Sequence, residues 1–213
     1  MKSIKDELQY IILGDEPPRQ GSALKKTQTF LRRYAETSVH AEKQQYFKSK
    51  ETEAILVFAN ENSLLYQEVI SESNFISEGA EQKVYRLNES QIIKTNAGIF
   101  YEYWLDYFNS LLLHNFFFPA TAYTFLGFKL IDGELHAVVR QEFVVSAEPT
   151  NLDLVRQFLN FNGFNLTKNN DYFNPALGLI FEDLHDENVL SDKGVLFFID
   201  TIFYLTSSFY NKD

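Results

Sequence analysis

The chain reads as an α+β protein built on an antiparallel sheet, and three observations predict this. Asp132-Gly133 joins two apolar runs, Ala122 to Ile131 and Glu134 to Val145. Asp-Gly suits the positive φ angles of a type I′ hairpin turn. Lys83 to Leu87 and Gln91 to Lys94 alternate in polarity across the short link Asn88-Glu89-Ser90, which predicts a second hairpin. The order along the chain is hairpin, helix, hairpin, helix, then loop and strands. A doubly wound parallel sheet would instead alternate strand and helix throughout.

Each element has its own grounds. Ile4, Leu8, Ile11, Ile12 and Leu13 have helical spacing, and Gly14 with Pro17-Pro18 stops that helix. Ser22 is an N-cap for a second helix through Leu31 and Tyr34. The basic residues are densest between Lys25 and Lys50. A third helix begins near Ser49, with Glu51 and Glu53 in its first turn and Ile55, Leu56 and Phe58 apolar. Residues 1–70 are thus expected to form a helical extension packed on a main domain over 71–213. A partner-docking arm is the other reading. Strands begin near Phe75. Ile99 to Leu113 is expected to be helical, with Tyr103, Leu105, Phe108, Leu111 and Leu112 as its apolar face. Asn151 to Phe161 is a short helix stopped by Gly163. After a polar loop, Leu177 to Leu190 and Val195 to Leu205 are apolar runs separated by acidic turns.

Composition excludes several classes. Hydrophobic residues are 45% and charged residues 23%, and 21 Phe, 12 Tyr and 1 Trp demand a core. A net charge of −10 argues against a general nucleic-acid binder and against an anionic membrane surface. The absence of cysteine excludes disulfides, thiolate metal sites and a cysteine nucleophile. Asp6 and Glu7 stand where a signal peptide needs apolar residues, and His114, Asn115 and Pro119 interrupt the most apolar stretch. A cytoplasmic protein is expected. There is no G-x-x-x-x-G-K-[ST], no H-E-x-x-H and no G-x-S-x-G, and His40, His114, His136 and His185 have no ligand spacing.

One segment concentrates chemistry. Glu182, Asp183, His185, Asp186, Glu187 and Asn188 fall within residues 182–188, with apolar residues on both sides. Asp200 then ends the apolar approach Leu196-Phe197-Phe198-Ile199. A carboxylate at the end of a buried strand needs a partner or a cation.

The spacing of Asp183, Asn188 and Asp200 resembles that of protein kinases and related small-molecule kinases. Asp183-Leu-His-x-x-Asn-Val-Leu is similar to the catalytic loop of aminoglycoside-type phosphotransferases. From about Phe75 to Leu205 the chain most resembles the serine/threonine/tyrosine kinase domain found in polyvalent proteins of bacterial mobile elements. The matching pieces are Gly79 to Tyr85, Lys94, His114-Asn115 with Pro119, Gly127-Phe128, Gln141, Gly163-Phe164, 183–190 and Phe198-Ile199-Asp200-Thr201. The resemblance implies a two-lobe kinase-like fold, with an N-lobe of about 71–145 carrying the antiparallel sheet and a minimal C-lobe of about 146–213. It implies ATP and Mg²⁺ as cofactors and a protein Ser, Thr or Tyr hydroxyl as acceptor. Gly79 and Val84 would cover the nucleotide, and Lys94 would contact its phosphates. Glu102, or Asp106 one turn on, would pair with Lys94. Glu142, Phe143 and Val144 would form the hinge against the adenine edge. Asp183 would be the base, with Asn188 and Asp200 as metal ligands.

The chain also departs from that pattern. Aligned on Val84, the glycine-loop positions are Ser77, Gly79 and Gln82, so one glycine of three remains. Phe181-Glu182 precedes the base where protein kinases carry His-Arg, and Thr201-Ile202 follows Asp200 in place of Phe-Gly. With 13 residues after Asp200, a minimal C-lobe without an activation segment or peptide-binding helices is expected, unless another chain or residues 1–70 complete it. These departures keep other readings open: a pseudokinase-like module binding nucleotide or a protein partner, a small-molecule phosphotransferase, and a scaffold without chemistry.

Overall fold

The computed structural model describes residues 3–15, 22–42, 47–146 and 148–211. In chain order the elements are α1 (Ile4–Leu13), α2 (Ala23–Glu42), α3 (Lys48–Glu61), β1 (Phe75–Glu78), β2 (Gln82–Arg86), β3 (Gln91–Asn96), α4 (Trp104–Phe117), β4 (Thr124–Ile131) and β5 (Glu134–Glu142). They continue with α5 (Leu152–Phe161), β6 (Asn165–Lys168), β7 (Asp171–Asn174), β8 (Leu179–Glu182), β9 (Val189–Asp192), β10 (Val195–Phe198) and β11 (Ile202–Leu205). Every pairing between these strands is antiparallel, so the mixed helix and antiparallel-sheet class holds. Among the described residues no helix is long and apolar enough to cross a membrane.

The chain divides into two compact units. The sheet unit comprises Asp15–Phe108 and Tyr123–Phe143; the aromatic unit comprises Met1–Gly14, Asn109–Ala122 and Val144–Asp213. Helix α1 therefore falls in the aromatic unit, and α2 and α3 in the sheet unit.

In the sheet unit the strand order is β1-β2-β3-β5-β4. The turn between β4 and β5 has φ +51° at Asp132 and +86° at Gly133, as the Asp-Gly pair predicts. Aromatic rings fill the core: Trp104 meets Phe128 edge to face, Phe108 lies tilted against Phe128, and Phe125 lies edge to face 5.0 Å from both Phe108 and Phe128. Strand β4 would be an exposed edge, but Phe128 N–H donates to Leu64 O and Tyr66 N–H donates to Phe128 O, both at 2.7 Å. That approach is close because position 127 is glycine. Its φ is +143°, and a Cβ there would lie 2.5 Å from the Leu64 carbonyl oxygen.

The aromatic unit holds a four-stranded sheet, β11-β8-β7-β6, and the hairpin β9-β10. Phe181 stacks on Phe203 at 4.1 Å and Phe118 on Phe198 at 4.2 Å. Phe117, stacked on Phe203 at 5.5 Å, and Phe118 thus contribute to this core. Gln9 of α1 donates to Phe209 O at 2.6 Å, tying the first helix to the last turn of the chain.

Several element boundaries differ from the sequence expectation. The helix expected over Ile99 to Leu113 runs instead from Trp104 to Phe117. Gly98 turns the chain at φ +64°, and Lys48 of α3 donates its ammonium protons to the carbonyls of Gly98 and Tyr101. The helix starts only where the Glu51 carboxylate accepts from the N–H groups of Trp104 and Leu105. The expected polar loop after Gly163 is the β6-β7 hairpin, turned by Asn169 and Asn170 at φ +48° and +63°. Helix α2 extends past Tyr34 to Glu42, and β5 ends at Glu142, short of Val145. The Pro17-Pro18 stop lies outside the described residues. Within them, α1 ends at Leu13 with Gly14 as its C-cap.

Candidate active site

The site residues singled out from the sequence fall into two groups, one in each unit. Gly79, Val84, Lys94, Glu102, Glu142 and Phe143 belong to the sheet unit; Val144, Asp183, Asn188 and Asp200 belong to the aromatic unit.

In the sheet unit, Val84 of β2 pairs with Lys94 of β3, so both side chains share one face. Lys94 is 3% exposed, and its ammonium lies 5.4 Å from the Tyr123 ring centroid. A buried ammonium on a sheet face is costly to desolvate, so this lysine is not an ordinary solvated strand residue. Gly79 lies in the β1-β2 turn, and a Cβ added there would meet nothing within 4 Å. Packing therefore does not require the glycine. Glu81, which sequence reasoning passed over, anchors this turn. Its carboxylate accepts from Asn96 Nδ2 at 2.9 Å and from Phe100 N–H at 3.2 Å.

Glu102 lies in the bend before α4, exposed, and not on the helix where the spacing put it. Its hydrogen bond to Tyr103 is the largest cause holding that phenol above its usual range, with burial second. Asp106 is on the first turn of α4. Burial pushes its carboxyl up, against the Tyr103 backbone N–H and the Lys48 charge. At the far end of the sheet, Gln91 Nε2 donates to Glu142 Oε1 at 2.9 Å, and Phe143 N–H donates to Ser90 O at 2.7 Å. The Arg86 guanidinium stacks 3.7 Å from the Phe143 ring centroid. Glu142 and Phe143 are thus gripped by the β2-β3 hairpin.

In the aromatic unit the acidic loop closes on itself. Asp183 takes φ +65°, a conformation more open to Asp and Asn than to other side chains. Its N–H donates to Asp171 Oδ1 at 3.2 Å, which moors the loop to the β6-β7 hairpin. Asn188 Nδ2 donates to both the carbonyl and Oδ2 of Asp183, each at 2.8 Å. His185 Nε2 is 3.1 Å from Asp183 Oδ1. Asn188 O in turn accepts from Ile199 N–H at 2.9 Å and from Asp200 N–H at 3.4 Å. The structure therefore brings Asp183, Asn188 and Asp200 together through one residue, Asn188. Beside them, burial pushes the Glu182 carboxyl up, with the Asp171 charge adding to it and Lys168 opposing.

The segment that carries Asp200 is held from behind. His114 of α4 is fully buried, with Nδ1 2.7 Å from Thr201 Oγ1 and Nε2 2.8 Å from Thr121 O. Ser110 Oγ accepts from Phe203 N–H at 3.0 Å, and Thr121 Oγ1 donates to Phe198 O at 2.6 Å. No local pattern marks these residues, although His114 is among those that carry the kinase resemblance. Among the described residues, no three His, Asp or Glu side chains could hold a metal ion by themselves.

A family described as Serine/Threonine/Tyrosine Kinase found in polyvalent proteins matches residues 48–207, and the chain belongs to it. The match takes in α3, whose Lys48 and Glu51 set the start of α4. No curated protein and no solved structure matches the chain.

Proposed function

We propose that this chain is an ATP- and Mg²⁺-dependent phosphotransferase of two-lobe kinase-like fold, passing the γ-phosphate to a protein Ser, Thr or Tyr hydroxyl. The observation that carries the reading is the bonding of Asn188. Its amide nitrogen is turned to Asp183 and its backbone carbonyl to Asp200. In this reading the amide oxygen of Asn188 and the Asp200 carboxylate form a hard, all-oxygen donor set. Magnesium suits such a set, since it binds one or two carboxylates with substrate phosphates and water. When bound, the ion would neutralise phosphate charge.

In this reading Asp183, held through both carboxylate oxygens, accepts the proton of the acceptor hydroxyl. Lys94 offers a buried positive charge to the nucleotide phosphates, with Glu102 as its acidic partner on the resemblance and Asp106 as the alternative. Gly79 leaves room for close backbone approach, and Val84 covers the base. Glu142, Phe143 and Val144 meet the adenine edge. The lobes span about 71–145 and 146–213, residues 1–70 are an extension, and a cytoplasmic location goes with the use of ATP.

The solitary glycine of the β1-β2 turn and the commitment of Phe143 N–H to Ser90 favour a second reading, a pseudokinase-like module. Thermal unfolding with and without Mg-ATP tests the first reading. A ligand at ~100 times its dissociation constant adds about 2.7 kcal/mol, a midpoint rise of roughly 5–10 °C for this size of chain. The rise should need Mg²⁺ and should vanish in Asp200→Ala. No rise at millimolar Mg-ATP would refute nucleotide use.

A further inference from the structure

We propose that His114 is a positioning residue for Asp200, acting through the hydroxyl of Thr201; the inference rests on the reading of Asp200 as a metal ligand. Residues 199–201 lie between β10 and β11 and belong to neither. No sheet ladder runs through Asp200; its N–H donates to Asn188 O at 3.4 Å, and side chains grip the residues on either side of it.

Three side chains supply that grip. Thr121 Oγ1 donates to Phe198 O at 2.6 Å, just before Asp200. Ser110 Oγ accepts from Phe203 N–H at 3.0 Å, just after it. His114, one turn along α4 from Ser110, reaches Thr201 Oγ1 at 2.7 Å. The other ring nitrogen, Nε2, faces the Thr121 carbonyl at 2.8 Å. A carbonyl can only accept, so Nε2 carries the proton. In the neutral ring Nδ1 is then an acceptor, and the Thr201 hydroxyl donates to it. The hydroxyl is thereby committed to one direction. The adjacent peptide, and with it the Cα–Cβ direction of Asp200, is fixed against a helix.

Thr201 is one of the positions where the chain departs from the protein-kinase pattern. The geometry gives that departure a role: the residue after the metal ligand carries the hydroxyl that meets His114 Nδ1. Because His114 touches neither nucleotide nor metal in this reading, it acts on binding only through Thr201.

The test compares wild type, Thr201→Val and Thr201→Ser. Thr201→Val keeps the shape and removes the hydroxyl; Thr201→Ser keeps the hydroxyl. For each protein, calorimetric titration gives the Mg²⁺ concentration that half-saturates Mg-dependent ATP binding, the affinity for ATP without metal, and the unfolding midpoint. Thr201→Val should raise half-saturating Mg²⁺ on the order of tenfold, the cost of leaving a buried acceptor unmade. Metal-free ATP affinity should be unchanged, and Thr201→Ser should restore the wild-type value. Half-saturation within twofold of wild type in Thr201→Val, whatever its midpoint, would reduce the network to a packing device and overturn the proposal. Wild type binding ATP with no dependence on Mg²⁺ would remove the metal reading itself, and the positioning role with it. A second readout is taken on the wild-type protein. The ring nitrogens of His114, assigned by their loss in His114→Gln, should show the neutral Nε2–H tautomer by ¹⁵N chemical shift; the Nδ1–H tautomer would overturn the assignment.

Discussion

Replacing Glu51 with alanine should destabilise the fold far more than a surface glutamate would. Glu51 is fully buried, and its two carboxylate oxygens accept from the first N–H groups of α4, at Trp104 and Leu105. A helix N-terminus offers N–H groups without intrahelical partners, and the helix dipole favours an anion there. A lost cap costs about 0.5–2 kcal/mol, and a hydrogen bond to a charged group is worth roughly 1.5–3 kcal/mol. With two such bonds removed at a fully buried position, the expected loss is about 3 kcal/mol. At roughly 2–4 °C per kcal/mol for a chain of this size, the midpoint should fall by about 6–12 °C. Calorimetry on Glu51→Ala and Glu51→Gln gives the measurement. The glutamine should lose about half as much, since one amide oxygen can still accept. A midpoint within 2 °C of wild type in Glu51→Ala would refute the claim that this carboxylate starts the helix.

Other outcomes follow from the same structure. Gly127→Ala should cost about 2–4 kcal/mol, because it adds left-handed strain to a clash with the Leu64 carbonyl. Gly133→Ala, where a Cβ would meet nothing within 4 Å, should cost about 1 kcal/mol, and equal losses in denaturant titrations would refute the contrast. Asp106 has a raised carboxyl, so the native state holds its proton to higher pH than the unfolded chain does. Stability from this group is therefore present in acid and lost as pH rises through the raised value. Asp106→Asn should unfold later than wild type at pH 7, with the gain shrinking toward pH 4; a gain independent of pH would contradict the assignment. Asp183→Asn should abolish phosphate transfer from radiolabelled ATP while sparing nucleotide binding, and undiminished transfer would remove Asp183 as the base.

What could be read from the sequence was what short spacings encode. Asp132-Gly133 declares its turn because the pair suits two positive φ angles and apolar runs flank it. The β6-β7 turn uses Asn169-Asn170 for the same purpose, but β6 is exposed throughout and shows no apolar face to alternate against. The Asp183 to Asn188 interval is legible because one loop closes it. The start of α4 is not. Ile99 has the right spacing for a helix yet is 56% exposed, and the cap that decides the matter is Glu51, 53 residues earlier than Trp104. The bond between His114 and Thr201 spans 87 residues and leaves no periodic trace. The same spacing predicts a helix at Glu102, which lies in the bend two residues before α4 begins.

Trp104 is the only tryptophan in the chain, and it stands at the first residue of α4. Its ring is 2% exposed, and its indole N–H donates to Thr52 Oγ1 of α3 at 3.0 Å. Tryptophan fluorescence of this protein therefore reports one junction, that of α3 with α4. A red shift in emission at a denaturant concentration where the far-ultraviolet ellipticity is unchanged would mean that this junction opens before the secondary structure is lost. Native-state opening there could then be followed without any added label.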